Sequence, residues 1–196
     1  MGRPSMAAER TEQIMQATAR CLQKHGLAGT TLERVAEESG LSRSHVRHYV
    51  GNRDDLLQKF ANWLYSGYEA EFIGRIAGAD GRDKLPIVMD YLFSTGFLPI
   101  SDDDTVIREL ITAGIADERI RVVMQTHYTQ AIQSVEDALA AEHPEASPGA
   151  RRAVAYGLWC LAMGNSMMAE LQLPVASGGL VRAAAESLLE RLSRHG

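Results

Sequence analysis

Residues 39–57 read "SGLSRSHVRHYVGNRDDLL", a short helical segment crowded with hydrogen-bond donors. The segment leading into it, "TTLERVAEESG" (30–40), places Leu32, Val35 and Ala36 at helical spacing. Thr30 and Glu33 stand three apart, as in a capping box, and Gly40 is a helix stop. Ser42 then caps a third short helix, whose buried side is Val46, Tyr49 and Val50. Two short helices joined by a tight glycine turn are the pattern of a helix-turn-helix. At about 100° per residue, Ser44 and His48 fall opposite that buried side, flanked by Arg43, His45 and Arg47. The outward face holds hydrogen-bond donors and no carboxylate. A helix fits the major groove of duplex DNA, arginine can grip guanine O6 and N7, and Ser, His and Tyr can serve bases or phosphates. A merely solvated polar face is the competing reading; capped ends, glycine turn and donor face together favour DNA.

Beyond this segment the pattern is helical throughout, giving an all-α protein with a three-helix N-terminal helix-turn-helix domain and a larger helical domain. A first helix is expected from about Ala8 to His25, burying Ile14, Ala17, Cys21 and Leu22 and ending at Gly26. Asn52 caps a long fourth helix with Asp54 and Asp55 in its first turn, where the helix dipole favours anions. Further helices are expected over 83–97, 103–115, 118–142, 148–171 and 179–194, the fourth of these capped by Ser147 with Pro148 in its first turn. The natural division is near residue 50, giving domains 1–52 and 53–196.

The 196 residues carry a net charge of −5 and are 45% apolar, ordinary for a globular chain. The charge is uneven. Residues 1–60 hold nine Lys/Arg against seven Asp/Glu, and residues 61–196 hold eleven against eighteen. A weakly basic head on an acidic body directs a polyanion to the head. No apolar run reaches the roughly 20 residues of a membrane span, and no signal peptide is visible. The two cysteines, Cys21 and Cys160, sit in apolar patterns and are expected to be buried free thiols of a cytoplasmic protein.

Residues 26–57, "GLAGTTLERVAEESGLSRSHVRHYVGNRDDLL", resemble the DNA-binding domain of the tetracycline-repressor (TetR) family. That resemblance implies an N-terminal three-helix DNA-binding domain and an all-helical C-terminal domain that binds a ligand and dimerises. It places Thr31 at the family's threonine near the start of helix two, often on phosphate, and Ser42 to Tyr49 on the recognition helix, with His48-Tyr49 at its end. Three positions depart from the family: Arg47 where tyrosine is usual, Val50 for phenylalanine, and Arg53 for lysine. The expected DNA contacts are Thr30, Thr31, Ser42, Arg43, Ser44, His45, Arg47, His48, Tyr49 and Arg53. Arg3 either reaches a minor groove or belongs to a disordered arm.

In the C-terminal part, "YGLWCLAMGNSMM" (156–168) contains a "GLW" similar to the subfamily of the choline-responsive betaine regulator. Gly157, Cys160, Gly164 and Met168, with Ala184, Leu188 and Leu192 of the last helix, are expected at a two-helix-per-subunit dimer contact; packing within one chain is the alternative. Trp63, Tyr91, Phe93, Met124, His127, Tyr128, Trp159 and Met163 are the candidate lining of a small-molecule pocket, able to cage a cationic or aromatic ligand. "SDDDT" (101–105) reads as anions at a helix N-terminus rather than a metal site. No GxSxG, P-loop, HExxH or CxxC occurs, so neither an enzyme, a metal nor a cofactor is expected. The sequence therefore points to a homodimeric repressor on a palindromic operator, released by a small effector. An activator, a regulator without effector, and a helical ligand-binding or interaction protein are the rivals.

Overall fold

A computed structural model describes residues 6–93, 97, 103–173 and 178–194. Among these all regular structure is helical: α1 (Met6–Gly29), α2 (Leu32–Ser39), α3 (Arg43–Val50), α4 (Arg53–Ile76), α5 (Lys84–Phe93), α6 (Asp103–Ala116), α7 (Glu118–Glu142), α8 (Pro148–Glu170) and α9 (Gly178–Arg194). A single 3₁₀ turn, Gly81–Asp83, precedes α5. Arg3, Ser101 and Asp102 lie outside the described residues.

Local chemistry accounts for most of the boundaries. Gly26 (φ 64°, ψ −179°) interrupts α1, close to where the sequence ends its first helix. Gly40 closes α2 in the left-handed region (φ 67°, ψ 22°). Its amide reaches Glu37 O at 3.2 Å and that of Leu41 reaches Ala36 O at 3.0 Å, the paired bonds of a Schellman motif. The cap of α2 is Thr31 rather than Thr30: Thr31 is extended (φ −114°, ψ 160°) and accepts from the Arg34 amide at 3.3 Å. The third helical residue is then Arg34, so Glu33 is one position out of register for a capping box. Ser42 caps α3 through the His45 amide at 3.2 Å, and Ser147 caps α8 through the Ala150 amide at 3.2 Å. Asn52 and Asp55 cap α4 reciprocally, each side chain accepting from the other's amide at 2.9 Å.

Packing divides the chain into two units, 1–67 with 101–126 and 68–100 with 127–196. This differs from a cut at residue 52, because α6 and the start of α7 associate with the N-terminal helices. Two links show why: the Leu27 amide donates to Glu109 of α6 at 2.7 Å, and Arg119 of α7 reaches Asp54 at 3.3 Å. Chain order alone carries no sign of either. The first unit buries Ile14, Leu22, Val35, Val46, Leu56 and Phe60, each worth about 1.5–3 kcal/mol of burial at its upper bound. The second is centred on Phe72, Val88, Leu92, Val135, Leu139 and Leu158. Helices α4 and α7 contribute residues to both units. Cys21 is buried, and burial pushes its thiol up. Cys160, expected to be buried, is exposed. Its apolar stretch has two apolar sides, and Cys160 falls on the outward one with Tyr156.

Candidate nucleic-acid interface

Helix α3 stands on Val46 and Val50, both fully buried, with Tyr49 half-buried beside them. Its opposite side is open: Ser42, Arg43, Ser44, His45, Arg47 and His48 are all exposed. The Ser42 and Ser44 hydroxyls lie 3.0 Å apart. The His48 and Tyr49 rings meet edge to face at 5.2 Å between centroids. At the far end Lys59 of α4 donates to the Tyr49 carbonyl at 3.0 Å, satisfying an orphan acceptor of the last turn.

The structure separates the ten expected contacts by their present engagements. Thr30 is completely buried and its hydroxyl donates to Gly26 O at 2.9 Å, so this side chain supports the turn instead of facing outward. Thr31 is half-buried at the α2 cap. Arg53 donates to the carbonyls of Thr30 at 2.8 Å and Leu27 at 2.5 Å, tying α4 to the α1–α2 turn. Arg43 forms an ion pair with Glu33 of α2. The Glu33 carboxyl lies below its ordinary value, chiefly through its own backbone amide, with Arg43 and the Thr31 hydroxyl adding. Sequence spacing missed Glu33 and Lys59 as neighbours of this face, because both arrive from other helices. The result is a pre-formed, outward, donor-rich helix held by caps at both ends.

Residues 14–60 match the family described as "Bacterial regulatory proteins, tetR family". That stretch is similar to the DNA-binding segment of TetR-family regulators. The regulator named "HTH-type transcriptional regulator BetI" of Stenotrophomonas maltophilia (strain R551-3) is 33% identical over 84 residues, 41% of this chain and 42% of that protein. The match thus spans less than half the length of that curated relative. A TetR transcription regulator from Haloarcula marismortui ATCC 43049 superposes with a TM-score of 0.80 at 22% identity, over 94% of this chain and 98% of that one. A protein from Saccharomonospora viridis, solved in complex with choline, does so at 0.71 and 17% identity, over 93% and 96%. At these identities the likeness is one of fold.

Outside the TetR domain, the second unit gathers an aromatic series. Ring centroids run from Phe72 to Tyr91 at 4.8 Å, Tyr91 to Phe97 at 5.7 Å, Phe97 to Trp159 at 6.1 Å and Trp159 to Tyr128 at 5.9 Å. The Arg75 guanidinium lies 5.4 Å from the Tyr91 ring centroid, and burial pushes the Tyr91 hydroxyl up. Glu69 pairs with His127 Nδ1 at 2.6 Å. Of the eight expected pocket residues, Tyr91, Tyr128 and Trp159 join the series and His127 holds Glu69. Phe93 is buried in the core and Met163 is half-buried. Trp63 and Met124 belong to the first unit, where the Trp63 indole donates to Glu12 at 2.8 Å and its ring lies 5.7 Å from Phe60. Phe72 and Phe97 carry no local mark in the sequence; only tertiary packing brings them into the series.

The last two helices leave an apolar surface open. On α8 Tyr156 (60%), Met167 (52%) and Met168 (43%) are exposed, with Cys160 beside them, and on α9 Leu180 and Ala184. Gly164 is half-buried with open space where a side chain would be. Gly157 faces inward, a Cβ there meeting Leu188 of α9 at 3.4 Å. Leu192, expected at a subunit contact, is 3% exposed and packs inside its own chain.

Proposed function

We propose that this protein is a cytoplasmic, ligand-responsive transcriptional repressor, binding a (pseudo)palindromic DNA operator as a homodimer and released by a small molecule. The observation that carries the reading is the donor-rich, outward face of α3 within a TetR-type domain. A helix-turn-helix reads two half-sites about 34–36 Å apart when dimeric, and the open faces of α8 and α9 are suited to pair two copies. Regulation, not catalysis, is the role that the tetR description and the BetI-named relative support. Among the described residues no helix is long and apolar enough to cross a membrane.

For the effector, Phe97, Tyr128 and Trp159 supply electron-rich rings, while Tyr91 already faces Arg75, and Glu69 is an anion paired with His127, the chain neighbour of Tyr128; such a set favours a small organic cation. The choline complex of the Saccharomonospora viridis protein supports that class. Effector binding acts by favouring one of two pre-existing states, with α4 and α7 as the covalent routes between units.

The test is an electrophoretic mobility shift on DNA flanking the protein's own gene. Sequence-specific binding that weakens as salt rises, and is released by choline, is expected. No preference for any flanking sequence over random duplex would defeat the proposal.

A further inference from the structure

The geometry points to Arg47 as the residue that reads a base directly, and to guanine as that base; the inference rests on the DNA-binding reading above. Four cations surround the recognition helix with their groups already engaged. Arg34 donates to Gly29 O at 2.7 Å, Arg43 pairs with Glu33, Arg53 is spread over Leu27 O and Thr30 O, and Lys59 holds Tyr49 O. Among the described residues no side chain or carbonyl takes the Arg47 guanidinium. It is exposed, one turn beyond Ser44 and next to His48, which occupy the middle of the outward side. Five N–H donors in a planar fork are thus held on a rigid helix without an internal partner.

The chemistry of the face selects the base. Guanine presents N7 and O6, both acceptors, in the major groove, and an arginine fork meets the two at once. Adenine is matched by the paired donor and acceptor of Asn or Gln, and α3 contains neither. Cytosine N4 calls for a carboxylate, and α3 contains none. Ser44 and His48 beside Arg47 extend the donor set. A phosphate would also accept from arginine, but without base discrimination.

The experiment selects bound duplexes from a random pool with the full-length protein, then repeats the selection with Arg47→Ala and Arg47→Lys. The wild type is expected to enrich one guanine in each half-site. Arg47→Ala should lose the preference at that position alone, with affinity for the enriched duplex down about fivefold to a hundredfold. Arg47→Lys should weaken the same preference while keeping the salt dependence, because a lysine keeps the charge and can still reach O6 or N7 but lacks the planar fork that meets both in fixed geometry. Circular dichroism establishes that each variant is folded, and Arg47→Lys carries the test if the alanine variant is not. If Arg47→Ala weakens every sequence equally, with a salt slope smaller by about one, Arg47 is a phosphate contact and the inference fails while the DNA reading stands. If the wild type enriches no sequence, the DNA reading itself fails.

Discussion

The Leu27 amide donates to the Glu109 carboxylate at 2.7 Å. On the other side of the same residue, the Leu27 carbonyl accepts from Arg53 at 2.5 Å. The α1–α2 turn is thereby clamped from α6 and from α4, with three α-helices intervening in the chain in the first case and one in the second. The amide is partly buried, so losing its acceptor exposes most of the desolvation cost. Glu109→Ala is expected to lower unfolding stability by about 1–3 kcal/mol in urea denaturation. Glu109→Gln retains an acceptor oxygen and should recover most of that loss; an equally unstable Gln variant would mean the bond contributes little.

Gly51 makes a second demand on the backbone. It sits at φ 89° between α3 and α4, and an added Cβ would fall 2.4 Å from Asp55 Oδ2 and 3.0 Å from Asp55 Cβ. Asp55 cannot move away freely, because it accepts from the Asn52 amide at 2.9 Å. Gly51→Ala therefore combines backbone strain with a broken cap, and about 1–3 kcal/mol of destabilisation is expected in thermal or urea melts. A melt unchanged from wild type would contradict the strained turn.

Helix positions and caps were legible because their causes are local. Ser42, Asn52 and Ser147 each announce a helix start, and the apolar spacing places Val46 and Val50 inside. Thr30 and Thr31 show the limit of such reasoning: two adjacent caps are offered, and only the extended backbone at Thr31 selects between them. Features made by tertiary approach were not legible. Glu33 meets Arg43 across two helices, Arg53 spends its fork on the preceding turn, and Phe97 enters the aromatic series from outside any helix. Trp63 and Met124 resemble pocket residues in composition, yet fold into the first unit.

Acid pH offers a separate handle on the first unit. Glu38 titrates below its ordinary 4.5 because hydrogen bonds from Lys24, then Arg20, favour its ionised form. Its pKa is thus lower folded than unfolded, so its contribution is complete above about pH 4.5 and disappears as pH falls through the folded value. Melting temperatures of wild type and Glu38→Gln, measured from pH 6 to pH 3, should converge toward the acid end. The gap at pH 6 should be small, since the pairs are largely solvated. A gap that does not narrow would remove ion pairing as its cause.

The aromatic series predicts how an organic cation would be lost. Trp159 lies between Phe97 at 6.1 Å and Tyr128 at 5.9 Å, so Trp159→Ala removes a ring with aromatic neighbours on both sides. Cation–π contacts contribute about 0.5–2 kcal/mol, and calorimetric choline affinity should fall about twofold to thirtyfold. Glu69→Gln should also weaken choline by removing the anion beside His127. Absence of choline binding by the wild-type protein would dismiss that ligand, and equal affinity in the Trp159 variant would move the site elsewhere.

Met167, 52% exposed and on the same side of α8 as Tyr156 and Cys160, tests how two copies pair. If a second copy covers this face, Met167→Glu places a carboxylate in an apolar contact. An uncompensated buried charge costs about 3–5 kcal/mol, so dimer affinity should drop more than a hundredfold. Sedimentation velocity at micromolar concentration would then report a monomer, and binding to a two-half-site duplex should fall with it. Met167→Leu keeps the volume and polarity and should remain dimeric. A Met167→Glu protein that still sediments as a dimer would place the contact on another surface, leaving the open α8 face to serve something else.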